Sequence, residues 1–236
     1  GDAVAGEQGG PCTVGLDPIK YVKNARWPAF SEANGTIAVA ACFGGCGIWR
    51  ITADGCDPSG RGCVRMSTGG SDTAPAWAPD GSYWFTEGNA TSVNRLGPGD
   101  SLIPIPFARE KGRGLRIQQV LADGRTALAV QAPSGTASGA GFLLDLATGE
   151  TTTLVAQPVV EFRSVSGELL CVLPDGSMTA TPFDARRHRI LGPAVLIATG
   201  VALTGTGTAQ FAVAENGTLA YIPETPRSLV LLDRNG

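Results

Sequence analysis

A short hairpin unit recurs along this chain, and that recurrence limits the possible folds more than any other feature. Its clearest copy is Ala74-Pro-Ala-Trp-Ala-Pro-Asp-Gly-Ser-Tyr-Trp-Phe-Thr86: a short strand, a turn at Pro79-Asp80-Gly81 and a second strand. Aspartate suits the turn because its carboxylate bonds the local backbone, and glycine because it takes the positive φ of a tight connection. Weaker copies run over 27–39, 119–130, 162–172 and 209–221. Their turn glycines, Gly35, Gly81, Gly124, Gly167 and Gly217, stand 46, 43, 43 and 50 residues apart. Four of the five copies are followed by a third strand ending in an Asp turn, at 47–55, 141–149, 177–184 and 228–236, and fourth strands follow at 150–155 and 194–198. Four strands per repeat of this length is the make-up of a propeller blade.

The reading is therefore an all-β propeller of four-stranded antiparallel blades in a single domain, 1–236. The repeats fall at approximately 24–66, 67–111, 112–157, 158–200 and 201–236, with an N-terminal strand at 11–23. The last repeat stops after its third strand, and Pro18 to Val22 reads as an orphan fourth strand, so pairing the two would close the ring and remove exposed sheet edges. Two Pro and two Gly between Ser92 and Lys111 predict a looser second blade. Gly112 and Gly114 argue against a helix over 108–120, at about 1 kcal/mol each, and for an inner strand.

Composition agrees. With 33 Gly, 16 Pro and 17% charged residues in 236, the chain is turn-dense and globular, neither collagen-like nor disordered. A net charge of −3 gives no basic face for nucleic acid. The longest apolar runs, such as 194–198, fall far short of the roughly 20 residues that span a bilayer. Residues 1–10 lack a basic segment followed by an apolar core, so a signal peptide is expected to be absent or already removed.

At these residues the chain resembles the TolB-type β-propeller repeat, whose hallmark is an inner strand, a Ser/Ala-Pro-Asp-Gly turn and an apolar strand ending in an aromatic residue. Ala78-Pro79-Asp80-Gly81 matches it in full. The stretches 167–172, 180–184, 191–193, 217–221 and 230–236 are similar to propellers fused behind bacterial receptor-like serine/threonine kinases. The resemblance implies interaction modules, periplasmic scaffolds or accessory domains of peptidases. It also implies six blades, whereas five turns are counted here, so a five-bladed ring and part of a six-bladed one both stand.

Five of the six cysteines, Cys12, Cys42, Cys46, Cys56 and Cys63, lie in the first quarter of the chain. No Cys-x-x-Cys pair occurs and the sole histidine, His188, is remote, so no metal is expected. Hairpin necks can meet disulfide geometry, which pairs Cys42 with Cys46 and Cys56 with Cys63; free buried thiols are the alternative. Disulfides imply an extracytoplasmic location in a bacterium, the periplasm or cell surface. Cys171, in an apolar strand, reads as a small core residue.

No catalytic constellation stands out. Catalysis through an imidazole would need His188, which sits in Asp184-Ala-Arg-Arg-His-Arg-Ile190 and reads as part of a solvated loop. Glycosidase chemistry needs two carboxylates across a sugar. Only Asp72 and Glu161, each placed just before an inner strand, could stand at the tunnel mouth. The function expected is a non-enzymatic binding scaffold or sensor module, without cofactor, meeting a protein, peptide or small ligand at one face. The alternatives are a glycan-active enzyme with carboxylates at the central tunnel, and an accessory propeller severed from a kinase or peptidase.

Overall fold

The computed structural model describes residues 23–31, 36–42, 46–52, 62–67, 73–87, 92–96, 102–105, 113–133, 136–204, 208–214 and 216–224. Among them every regular element is a strand. The first sheet runs in chain order through β1 (Lys23–Ser31), β2 (Thr36–Cys42), β3 (Cys46–Ile51) and β4 (Cys63–Arg65). The second holds β5 (Thr73–Trp77), β6 (Tyr83–Glu87), β7 (Ser92–Leu96) and β8 (Leu102–Ile105), and the third β9 (Arg113–Val120), β10 (Thr126–Pro133), β11 (Gly139–Asp145) and β12 (Thr151–Val159). The fourth holds β13 (Glu161–Val165), β14 (Glu168–Val172) and β15 (Met178–Asp184), edged by two short pieces, β16 (Arg189–Ile190) and β17 (Val195–Ala198). A two-stranded pair, β18 (Phe211–Val213) and β19 (Leu219–Tyr221), follows. All pairings within the sheets are antiparallel, and 113–120 is a strand, not a helix.

Strand periodicity places the cores. Successive side chains of a strand leave on opposite faces, so a strand buried on both faces feeds two separate clusters. In β10, Ala127 and Ala129 join Ala76, Trp84 and Val93 of the second sheet, together with Leu115 and Ile117. Leu128, Val130 and Ala132 of the same strand turn the other way, onto Phe162, Leu169, Cys171 and Phe183 of the fourth. Ala38, Ala40 and Ile48 meet Tyr83, Phe85 and Leu96 between the first two sheets. Val160, Val172 and Met178 meet Val201 and Ala209 beyond the fourth. The hydrophobic core is thus a series of layers, each shared by two neighbouring sheets. On the face of the first sheet that points away from the second, Val39, Ala41 and Ile51 are also buried.

The turns follow the aspartate and glycine chemistry. Gly81, Gly124, Gly167 and Gly217 have φ of 77°, 66°, 83° and 83°. Asp80 Oδ1 accepts from the Ser82 amide at 2.9 Å and hydroxyl at 2.6 Å. Asp123 Oδ1 accepts from the Arg125 and Thr126 amides, each at 2.9 Å. The outer edge of the fourth sheet departs from the single fourth strand expected at 194–198. Residues 189 and 190 pair with β15 as well, and the Leu191-Gly-Pro193 segment, where proline offers no amide, separates the two pieces.

Candidate functional site

The first strands of neighbouring sheets lie against one another: β1 against β5, β5 against β9, and β9 against β13. They are the innermost strands of the array. Three of the four are bulged where they pair with their second strands, between Lys23 and Ala29, between Thr73 and Ala76, and at Gln118, which has no partner between Leu128↔Gln119 and Ala129↔Ile117. Bulges bend a strand and re-aim its side chains, and they concentrate at barrel rims and beside sites. Gln118 is 7% exposed and makes no side-chain hydrogen bond among the described residues.

A polar cluster joins β9 to β13. Arg116 Nη2 donates to the carbonyls of Ala137, in the loop after β10, and of Val160, at 3.3 Å, just before β13. Next to Val160, Glu161 is 8% exposed, and its Oε1 accepts from Arg163 Nη2 at 3.1 Å and Nε at 3.3 Å. Burial pulls the Arg116 guanidinium below its ordinary value, and the charge of Glu161 offsets part of that without an ion-pair contact. Further along, Gln119 Nε2 donates to the Ser164 carbonyl at 3.0 Å while its Oε1 accepts from the Ser164 amide at 2.7 Å. One side-chain amide so stands in for a missing strand along the inner edge of β13.

The Asp-Gly turns at the far ends of these strands carry a second polar set. Asp80 Oδ2 accepts from Arg95 Nη2 at 2.6 Å, and the Arg95 guanidinium carbon lies 5.9 Å from the Trp84 ring centroid. Arg125 pairs with Asp145 at 3.0 Å and Arg187 with Asp184 at 3.1 Å. His188, at φ 55°, sets Nε2 3.1 Å from Asp123 Oδ2 and so ties the turn after β9 to the turn between β15 and β16. Burial would raise the Asp123 carboxyl, but the Thr126 and Arg125 amides, the Thr126 hydroxyl and His188 together hold it below the usual carboxylate range.

The residues singled out in the sequence scatter across this framework. Glu161 opens β13 and is ion-paired, while Asp72, immediately before β5, lies outside the described residues. Cys42 and Cys46 face each other directly across the β2/β3 neck, although their side chains lie outside the described set. Cys63 is disulfide-bonded and packs near Trp49 and Ile51; Cys56 lies outside the described residues, so its pairing with Cys63 stays open. Cys171 is a free thiol, 3% exposed, and burial pushes its pKa up to about 12. Sequence reasoning missed Arg116, Gln119 and the Asp123 partner of His188. Their partners stand 44, 45 and 65 residues away, and no local pattern encodes such contacts.

Sheets of antiparallel strands in chain order, packed face to face with their first strands innermost, define the class as a β-propeller. Within that class the fold is TolB-like. A protein assigned to TolB from Agrobacterium tumefaciens superimposes with a TM-score of 0.59 at 12% identity, covering 88% of this chain and 77% of that one. An auxiliary nutrient binding protein from Bacteroides thetaiotaomicron matches with a TM-score of 0.51 at 12% identity, over 81% of this chain and 49% of that one. Virginiamycin B lyase from Staphylococcus aureus matches with a TM-score of 0.50 at 17% identity, over 75% and 57%. The chain spans about half the length of these last two. No protein-family model matches the sequence, and no curated protein does.

Proposed function

We propose that this chain is a non-enzymatic binding scaffold or sensor module that presents a ligand site at one end of its innermost strands. The observation that carries this reading is the state of Glu161. A glycosidase needs a second carboxylate facing the first, roughly 5 to 9.5 Å away. Glu161 instead has its near neighbours in Arg163 and Arg116, both cations. A binding protein and a lyase share the fold, so the fold alone does not choose between binding and chemistry.

The finer architecture belongs to the same proposal. The chain forms one domain over 1–236, divided near 24–66, 67–111, 112–157, 158–200 and 201–236, with the segment 11–23 closing a five-bladed ring. The burial of Val39, Ala41 and Ile51 on the outward face of the first sheet favours closure. Bridges Cys42 to Cys46 and Cys56 to Cys63 staple the first blade. That places the protein outside the cytoplasm of a bacterium, where it meets a protein, peptide or small ligand. An accessory propeller of a longer kinase or peptidase would serve the same role.

The test is a thermal-shift survey of small organic acids, oligosaccharides and short peptides, with mass spectrometry of each mixture. Stabilisation by a compound recovered intact supports the reading. Cleavage of a saccharide overturns it in favour of a glycan-active enzyme.

A further inference from the structure

The innermost strands are unlike the rest of this acidic protein. Where β9 meets β13, Arg116 and Arg163 stand with a single acid, Glu161, in a chain whose net charge is −3. An excess of one sign of charge attracts the opposite one, and low-dielectric surroundings focus the field.

Of the two guanidiniums, Arg163 is ion-paired with Glu161 and Arg116 makes no carboxylate contact among the described residues. Its Nη2 is spent on two backbone carbonyls, which fixes the guanidinium in place. Its Nε and Nη1 have no acceptor among the described residues, and neither atom belongs to the fully buried unpaired groups. Those donors therefore still reach solvent. A guanidinium taken largely out of water and left without a counter-ion is costly unless something pairs with it. Glu161 does not do so, because its Oε1 is held by Arg163. Two guanidiniums and one carboxylate leave the cluster one positive charge in excess. Gln118, at the bulge two residues along β9, adds an amide with no bonding partner among the described residues.

We propose that this cluster, where β13 begins beside β9, binds the carboxylate of a ligand, with Arg116 as its anchor. A planar guanidinium with free donors matches a carboxylate in shape, and one surplus charge matches a monoanion better than a dianion such as phosphate. Arg163 tunes the site by occupying Glu161, which otherwise repels an incoming anion. The inference rests on the binding-module reading and names the chemistry of its ligand. The carboxylate comes either from a small organic acid or from the end of a peptide chain.

The test uses the full chain labelled with 15N-arginine, titrated at constant ionic strength with sodium propionate, a monocarboxylate, against sodium chloride. The Nε–Hε resonance of Arg116, identified by its loss in Arg116→Lys, is followed. A saturable shift with a Kd of about 1 mM is expected, as for one charge-assisted pair. In Arg116→Lys, followed at the Arg163 Nε–Hε resonance, binding weakens by at least about tenfold, and Glu161→Gln tightens it by about three- to tenfold, since a competing negative charge is gone. A merely structural role for Glu161 gives no tightening, and this second variant keeps the test decisive where Arg116→Lys fails to fold. A short peptide with a free C-terminus, compared with its amidated form, distinguishes the two sources. No saturation, or weaker binding in Glu161→Gln, overturns the proposal. A ligand that binds wild type and both variants alike overturns it too, while leaving the binding-module reading in place; saccharide turnover overturns that reading itself.

Discussion

Two glycines show how differently the same residue can be required. Gly124 takes φ of 66° in an open turn, where an added Cβ meets nothing within 4 Å. Gly47 has ordinary φ, but a Cβ there would come within 2.3 Å of the Ser67 carbonyl oxygen. Ser67 is held in place because its hydroxyl accepts from the Ile48 amide at 2.9 Å. Gly124→Ala should therefore cost about 1 to 2 kcal/mol of backbone strain, and Gly47→Ala about 2 kcal/mol or more, because backbone must move. Urea denaturation of the two variants checks the order. The first glycine is legible in Ala122-Asp-Gly124 as a turn signal, whereas the second is legible only once Ser67 lies beside it. Cys171 makes a further residue-scale prediction. With its pKa pushed up to about 12 and its side chain 3% exposed, it should resist iodoacetamide in the native protein and react in denaturant without reductant. Peptide mapping of the alkylated protein reads this directly.

At the scale of elements, two side chains join blades that are far apart in sequence. Gln119 closes the inner edge of β13 through both polar atoms of its amide. Gln119→Leu leaves the Ser164 amide and carbonyl without that partner and should cost about 2 kcal/mol. Hydrogen exchange should quicken at Ser164 well before it does in β14. The Asp123 and His188 pair joins two hairpins, and its pH dependence follows from the lowered carboxyl. A depressed carboxyl stabilises the fold above its unfolded pKa of about 3.9 and loses that contribution as pH falls through the lower folded value. The stability gap between wild type and Asp123→Asn should thus be open at pH 7 and narrow in the strongly acidic range, as followed by urea midpoints. The alternation in β10, with Leu128 and Val130 on one face and Ala127 and Ala129 on the other, is visible in the sequence as a continuous apolar run. Which sheet each face meets is not, because both faces are equally apolar.

For the whole molecule, stability resides in the layers between sheets. Phe162 is fully buried between the third and fourth, with its ring 3.1 Å from the position a Cβ on Gly141 would occupy. Phe162→Ala should cost about 3 to 5 kcal/mol, enough to leave little of a typical domain's stability, and a thermal melt by circular dichroism measures it. The sequence by itself determined the class of fold and the strand order. Asp-Gly turns and alternating apolar residues act within a few positions of one another, so the repeat at roughly 45-residue spacing is readable without tertiary structure. Only tertiary structure decided where the chemistry lies. Of the cysteines and acids that stand out along the chain and are described, Cys171 turned out to be a buried thiol and Glu161 an ion-paired glutamate. Arg116, unremarkable in sequence, became a largely buried cation held by two backbone carbonyls. Charge and exposure depend on neighbours brought together from blades 40 or more residues apart, and a linear pattern carries no record of those distances.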